Sequence, residues 1–167
     1  LAGYDPRDPG SADVPVAEML AELEAWRQSG GRADVITLGG SGEPTLHPEF
    51  GAVLDWVRAN RAGRSLLLSN GSLFADPAVR RDAARADIVK VALHGWDAES
   101  FARVSRPHPS LDFAAILEGY RAFRDNFGGT LAVEVFLIPG INDAPEQVAR
   151  IAALCATFRP DRVDLNT

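Results

Sequence analysis

The stretch VITLGGSGEPTL at residues 35–46 is the part of the chain that decides its fold. An apolar run leads directly into a turn that contains one carboxylate, Glu43. Three glycines accompany it: Gly39, Gly40 and Gly42. Glycine allows positive φ and lets backbone N–H and C=O groups approach a bound molecule. Pro44 biases Glu43 toward an extended conformation, which presents the carboxylate. The stretch therefore predicts a buried strand that ends at a site for a small cationic group such as an amine.

The composition indicates a single globular domain. The chain has 167 residues, of which 46% are hydrophobic, enough to bury a core. Its net charge of −6 argues against nucleic-acid binding through bulk electrostatics. No membrane span and no basic-then-apolar leader is apparent, so we expect a cytoplasmic location and no membrane partner. Cys155 is the only cysteine, which excludes a disulfide or a multi-cysteine metal site within these residues.

Strand and helix patterns alternate along the chain. Five apolar runs are predicted as strands: Asp34–Leu38, Ser65–Ser69, Ile88–Leu93, Leu131–Ile138 and Arg162–Asn166. Because the runs are apolar almost without interruption, we expect strands buried on both faces. Amphipathic patterns predict helices that begin near six positions: Asp13, Pro48, Asp76, Asp97, Asp112 and Asp143. This order predicts an α/β fold with a parallel sheet and right-handed crossovers.

Polar residues and glycines follow the predicted strands. They include Gly40–Pro44, Ser69–Ser72, His94–Trp96, Pro139–Asp143 and Asn166. The carboxyl ends of parallel strands lie at one edge of a sheet, so these segments predict one composite ligand site. Five strands do not close an eight-stranded barrel, and both chain ends look abrupt. We therefore expect residues 1–167 to be the middle of a longer domain.

Several motifs, taken in order, resemble the radical S-adenosylmethionine (SAM) superfamily. They are Gly40–Leu46, Ser69–Gly71, Val89–Leu93, Arg106–Leu111 and Val135–Asp143. The look-alikes most similar to this sequence are uncharacterised iron–sulfur oxidoreductases akin to the wyosine-forming enzymes. The resemblance implies a TIM-like partial (β/α)6 barrel of radical SAM type, truncated at both ends. Residues 1–167 would then be a partial core domain whose first strand and cluster loop lie upstream.

The resemblance also implies a set of SAM-binding residues. Glu43 and backbone groups near it would bind the methionine ammonium, and Ser69 and Asn70 would contact the methionine carboxylate or the ribose. His94 ends the strand that commonly contacts the ribose, whereas Asn166 lies on the strand at the adenine edge. The implied residues are Gly40, Ser41, Gly42, Glu43, Pro44, Ser69, Asn70, His94, Pro139, Gly140, Ile141 and Asn166, of which 139–141 would pack on the adenine.

The same resemblance implies cluster chemistry that this chain cannot supply alone. In the superfamily three cysteines in a C-x3-C-x2-C loop hold a [4Fe–4S] cluster. Cys155 is expected to be a buried structural thiol, so no metal ligand is assigned within these residues. No catalytic residue is assigned either. We expect Leu1 to follow the last cluster cysteine of the complete protein. That protein would cleave SAM reductively to a 5′-deoxyadenosyl radical. It would use a reductant such as flavodoxin or ferredoxin, and by family analogy a modified RNA base is a candidate substrate.

Two other functions remain open at the level of sequence. The chain could be a non-redox α/β binding module, such as a degenerate scaffold without cluster chemistry. It could also be part of an aldolase-like barrel, in which a Schiff base would require a lysine. Lys90 is the only lysine, and its direction within the predicted strand is open. Arg106 and His108 could reach a substrate, although packing of a rigid loop before Asp112 is the commoner explanation.

Overall fold

A computed structural model describes residues 14–40 and 42–167. Five strands lie within them: β1 Val35–Leu38, β2 Arg64–Ser69, β3 Ile88–Ala92, β4 Thr130–Phe136 and β5 Arg162–Asn166. The helices of these residues are α1 Val16–Gln28, α2 Phe50–Asn60, α3 Pro77–Ala83, α4 Ala98–Ser105, α5 Phe113–Asn126 and α6 Pro145–Ala156. A short 3₁₀ turn, Pro44–Leu46, follows β1.

The strands form one parallel sheet in the order β1-β2-β3-β4-β5. Each strand pairs with the next strand along the chain, and helices lie between consecutive strands. This arrangement confirms the predicted α/β fold. It also places the carboxyl ends of all five strands at one edge of the sheet, where the predicted polar segments lie.

The two faces of the sheet differ. On one face Leu67, Val89 and Leu131 are no more than 1% exposed and belong to a core shared with α2, α5 and α6. On the other face Leu68 is 37% and Phe136 is 42% exposed. The prediction of strands buried on both faces is therefore wrong for the part of the chain that the structure describes. Neighbouring residues along a strand point to opposite faces, so the same apolar runs supply both a core and an open face.

Several helix starts agree with the prediction because their acidic caps are in place. The side chains of Asp76, Asp97 and Asp112 each accept hydrogen bonds from backbone N–H groups in the first turn of α3, α4 and α5. Helix α1 begins at Val16, and its predicted cap, Asp13, lies outside the described residues. Among the described helices, none is long and apolar enough to cross a membrane.

The segment after β4 differs from its prediction. The strand ends at Phe136 because the Ile138 N–H donates to Asn142 Oδ1 at 2.7 Å. Asp143 does not cap α6: its Oδ1 accepts from the Gly140 N–H at 2.8 Å. The Ala144 N–H at the start of α6 instead donates to the side-chain oxygen of Gln147, a residue of the same helix, at 3.1 Å.

Candidate functional site

A cavity of about 830 Å³ lies at the carboxyl ends of the strands. We call it the strand-end cavity. Its volume is within the range of pockets that bind small molecules and cofactors. The lining residues come from the segments after β1 and β2, from the open face of β3 and β4, and from the α4–α5 connection. The fold therefore brings together segments that are far apart in the sequence.

Glu43 is held by a dense set of donors at the edge of this cavity. Its Oε1 accepts from the Thr45 hydroxyl at 2.6 Å, from the Thr45 N–H at 3.1 Å and from the Ser69 hydroxyl at 2.7 Å. Its Oε2 accepts from the Asn70 N–H at 2.6 Å. The extended conformation of Glu43, with φ −89° and ψ 114°, is the one predicted from Pro44. The carboxylate thus connects the turn after β1 to the end of β2.

The end of β2 rests in turn on a buried tyrosine. The Tyr120 hydroxyl lies 3.0 Å from the Asn70 carbonyl oxygen and 2.9 Å from that of Ala92, within reach of both acceptors. Tyr120 is 1% exposed, and burial raises its pKa, so the hydroxyl stays protonated and can donate. Gly71 adopts φ +71°, and a Cβ there would lie 2.2 Å from the Tyr120 ring. Only glycine fits this close approach.

The structure assembles about half of the predicted site residues at the cavity. Those that line it are Gly40, Gly42, Glu43, Pro44, Ser69 and Asn70. Ser41 lies outside the described residues. The remaining predicted residues do not line the cavity: His94, Pro139, Gly140, Ile141 and Asn166. They lie at the ends of β3, β4 and β5, further along the same edge of the sheet.

His94 is bound into the sheet edge through one ring nitrogen. Its Nδ1 accepts from the Phe136 N–H at 3.1 Å, which leaves the proton of the neutral ring on Nε2. Burial lowers the pKa of His94 below its usual 6.5, and the nearby Glu134 carboxylate opposes this shift. His94 is therefore a neutral imidazole at neutral pH, and its Nε2–H has no hydrogen-bond acceptor within the part of the chain that the structure describes.

A buried asparagine that the sequence analysis did not single out stabilises the turn after β4. Asn142 is fully buried, and its Nδ2 donates to the carbonyl oxygens of His94 at 2.9 Å and Phe136 at 2.8 Å. It holds the ends of β3 and β4 together and shapes the turn around Gly140, whose φ is +74°. Its position two residues after a Pro-Gly pair was the only signal in the sequence.

The open face of the sheet carries charged residues. Lys90 lines the cavity, and its Nζ lies 2.7 Å from Asp164 Oδ2. The hydrogen bond from Lys90, and to a smaller extent that from Arg162, holds the pKa of the Asp164 carboxyl below its ordinary value. Glu134 also lines the cavity and accepts from the Asn166 Nδ2 at 2.7 Å. The direction of Lys90 is thus known, but its ammonium is engaged, so the geometry gives no specific support to a Schiff-base role.

The α4–α5 connection forms another wall of the strand-end cavity. Its cavity-lining residues are Ser105, Arg106, Pro107, His108, Ser110 and Leu111. Sequence reasoning favoured simple loop packing for Arg106 and His108. The structure instead places both at the cavity, and the Pro-flanked motif was a signal that could have pointed there.

The residues present do not fit an iron–sulfur cluster. Cys155 is 2% exposed on α6, and burial raises the pKa of its thiol to about 11, whereas a cluster ligand is a thiolate. Within residues 14–40 and 42–167 there is no group of three metal-binding side chains. Three cysteines cannot come from a chain that has one.

Comparison with known proteins identifies the family. A sequence model of the radical SAM superfamily matches residues 3–152, and the chain belongs to this superfamily. A UPF0026 protein of Helicobacter pylori is 40% identical over 135 residues, which cover 80% of this chain and 44% of that protein. The chain thus spans less than half the length of this relative.

Two solved structures share the fold. A radical SAM methyltransferase from Sphaerobacter thermophilus aligns with a TM-score of 0.67 and 21% identity, over 93% of this chain and 48% of its own. A domain of pyruvate-formate lyase-activating enzyme from Bacteroides vulgatus aligns with a TM-score of 0.61 and 22% identity, over 78% of each chain. At this identity the likeness concerns the fold, which is that of radical SAM domains.

Proposed function

We propose that this chain is the SAM-binding part of a radical SAM enzyme and that the strand-end cavity holds SAM. The observation that carries the proposal is the state of the Glu43 carboxylate. Among the donors of residues 14–40 and 42–167, three bind Oε1 and one binds Oε2, and each carboxylate oxygen has about two acceptor sites. Oε2 therefore keeps capacity for one more donor, such as the methionine ammonium.

The glycine-rich turn supports the same assignment. Gly40 lines the cavity, and a Cβ added there would meet no described atom closer than 3.9 Å, so a bound molecule can approach its backbone. Open backbone groups beside a fixed carboxylate suit an amino acid, because the ammonium needs acceptors and the carboxylate needs donors. Ser69 and Asn70 then act by fixing Glu43 through their hydrogen bonds to it. Asn70 also lines the cavity, where its side chain can contact the methionine carboxylate or the ribose.

His94, Pro139–Ile141 and Asn166 are proposed for the nucleoside end of SAM. They lie along the sheet edge beyond the cavity lining. The Nε2–H of His94 can donate to a ribose hydroxyl, and the exposed Pro139–Gly140 turn can pack on the adenine ring. Asn166 holds Glu134, and its backbone continues the ladder to Leu137.

The activity of the whole protein is part of this proposal. A [4Fe–4S] cluster held by cysteines outside these 167 residues would supply the electron that cleaves SAM to a 5′-deoxyadenosyl radical, with flavodoxin or ferredoxin as reductant. The family membership and the shorter span of this chain support it.

The test is product formation by the complete, cluster-loaded protein. Under anaerobic reduction we expect 5′-deoxyadenosine and methionine in equal amounts. Glu43→Gln should lower this rate at least tenfold, whereas Glu49→Gln, an exposed glutamate without a side-chain cap bond, should not. Absence of 5′-deoxyadenosine from a protein that holds its cluster would refute the activity.

A further inference from the structure

The α4–α5 wall, defined as residues 105–111, has a different chemistry from the rest of the strand-end cavity. The inference drawn from it rests on the proposed function, in which SAM occupies the side formed by the turn after β1 and the end of β2. Residues of this wall line the same cavity of about 830 Å³ as that side, so a second molecule bound beside SAM would contact this wall.

Arg106 is placed at the cavity by a fixed backbone. It caps α4 with φ 45° and ψ 57°, and its N–H donates to the Ala102 carbonyl oxygen at 3.1 Å. Pro107 follows and restricts the next step of the chain. Arg61 and Arg159 adopt the same left-handed conformation, but neither lines the cavity. The left-handed conformation is thus shared by helix ends of this chain. Arg106 differs from Arg61 and Arg159 because it lines the cavity.

His108 offers a second donor on the same wall. Its Nδ1 accepts from the Ser110 N–H at 3.3 Å and lies 2.8 Å from the Ser110 hydroxyl. A ring nitrogen that accepts from a backbone amide carries no proton, so the proton of the neutral ring is on Nε2. Arg106 and His108 therefore both present N–H donors at the cavity.

The other charged groups of the cavity already have partners. Glu43 accepts four hydrogen bonds, Glu134 accepts one from Asn166, and Lys90 pairs with Asp164. Among residues 14–40 and 42–167, no carboxylate lies within 4.0 Å of the Arg106 guanidinium. The α4–α5 wall is thus the donor-rich side of a cavity whose acidic groups are engaged elsewhere.

We propose that the α4–α5 wall binds an oxyanion of the substrate, a phosphate or a carboxylate, through the Arg106 guanidinium and the His108 Nε2–H. A guanidinium has a planar fork of donors that matches two oxygens of such a group. The substrate class is accordingly an anionic molecule whose charged end is held away from the SAM side of the cavity.

The first test is titration of the complete protein with inorganic phosphate by calorimetry, with chloride at equal ionic strength as the blank. Arg106→Gln should weaken phosphate binding about tenfold, which corresponds to about 1.4 kcal/mol. Arg61→Gln is the matched control, because Arg61 is an exposed arginine with the same backbone conformation at the end of α2. No phosphate binding, or equal loss in both variants, would overturn the proposal.

The second test distinguishes the substrate's anion from the methionine carboxylate of SAM. Phosphate affinity should be the same with and without saturating SAM, and Arg106→Gln should leave the affinity for SAM unchanged. The proposal fails if SAM displaces phosphate and Arg106→Gln weakens the binding of SAM but not that of decarboxylated SAM. Arg106 would then bind the methionine carboxylate of SAM and not an anion of the substrate. A protein that binds phosphate at Arg106 but does not bind SAM would instead refute the proposed function and leave the oxyanion site in place.

Discussion

The Ser69 hydroxyl donates to Glu43 Oε1 at 2.7 Å across 26 residues of sequence. This bond joins the turn after β1 to the last residue of β2, two strands that are neighbours in the sheet. The Asn70 N–H adds a second link to Oε2 of the same carboxylate, and the Asn70 carbonyl is a partner of Tyr120. Glu43, Asn70 and Tyr120 therefore form a connected polar path from the cavity edge into the core.

Glu43→Gln should destabilise the fold. A carboxylate accepts from all four donors, whereas the amide has one oxygen and its NH₂ group would face N–H or O–H donors. We expect the free energy of unfolding to fall by about 1–3 kcal/mol in urea titrations. Glu49→Gln is the control, and an equal change in both variants would mean that the contacts of Glu43 contribute nothing specific.

Gly71→Ala should cost more than Gly140→Ala. Both glycines have positive φ, +71° and +74°, so each substitution carries a backbone cost of about 1–2 kcal/mol. Only at Gly71 would the new Cβ collide with the Tyr120 ring, whereas no described atom lies within 4 Å of a Cβ at Gly140. Overpacking should add about 1–3 kcal/mol at Gly71, measured by urea unfolding. Equal losses would show that Tyr120 moves aside freely.

Tyr120→Phe should loosen the site without disrupting the core. The ring and its packing remain, but the carbonyl groups of Asn70 and Ala92 lose a buried donor. We expect a loss of about 1–2 kcal/mol in unfolding free energy. Hydrogen exchange of the Asn70 amide should also become faster relative to that of Leu131, which lies in the core. Unchanged exchange at Asn70 would contradict a positioning role for the hydroxyl.

Stability should fall in mildly acidic solution because of His94. Its pKa in the folded state is lowered from 6.5, so below pH 6.5 the unfolded chain binds the proton more readily. The His94 contribution is complete above pH 6.5 and is lost as the pH falls through the depressed pKa. Protonation also removes the Nδ1 acceptor of the Phe136 N–H. His94→Asn should flatten this part of the pH profile of unfolding, and His108→Asn, at an exposed histidine, should leave it in place.

The sequence predicted the sheet well because its periodicity is local information. The strands at Val35–Leu38 and Arg162–Asn166 and the caps at Asp76, Asp97 and Asp112 lie where the pattern placed them or within one residue. The stretch at 35–46 also indicated the extended Glu43 correctly. These features depend on neighbours in the chain, which a sequence displays directly.

The parts that were missed depend on contacts between distant residues. Tyr120 lies on α5, and nothing in the sequence around it shows that its hydroxyl meets Asn70, 50 residues earlier. The buried role of Asn142 depends on the end of β3, and the place of Arg106 at the cavity depends on how α4 meets α5. The end of β4 was misplaced for the same reason, since a side chain of a later turn takes the Ile138 N–H.

The most direct test of the central claim is calorimetric titration of the complete, cluster-loaded protein with SAM. If Glu43 receives the methionine ammonium, Glu43→Ala should weaken SAM binding at least tenfold, and Glu49→Ala should not change it. The isolated 167-residue chain, which has no cluster ligands, should show barely detectable binding. Micromolar affinity for SAM that survives Glu43→Ala in a folded protein would contradict the account.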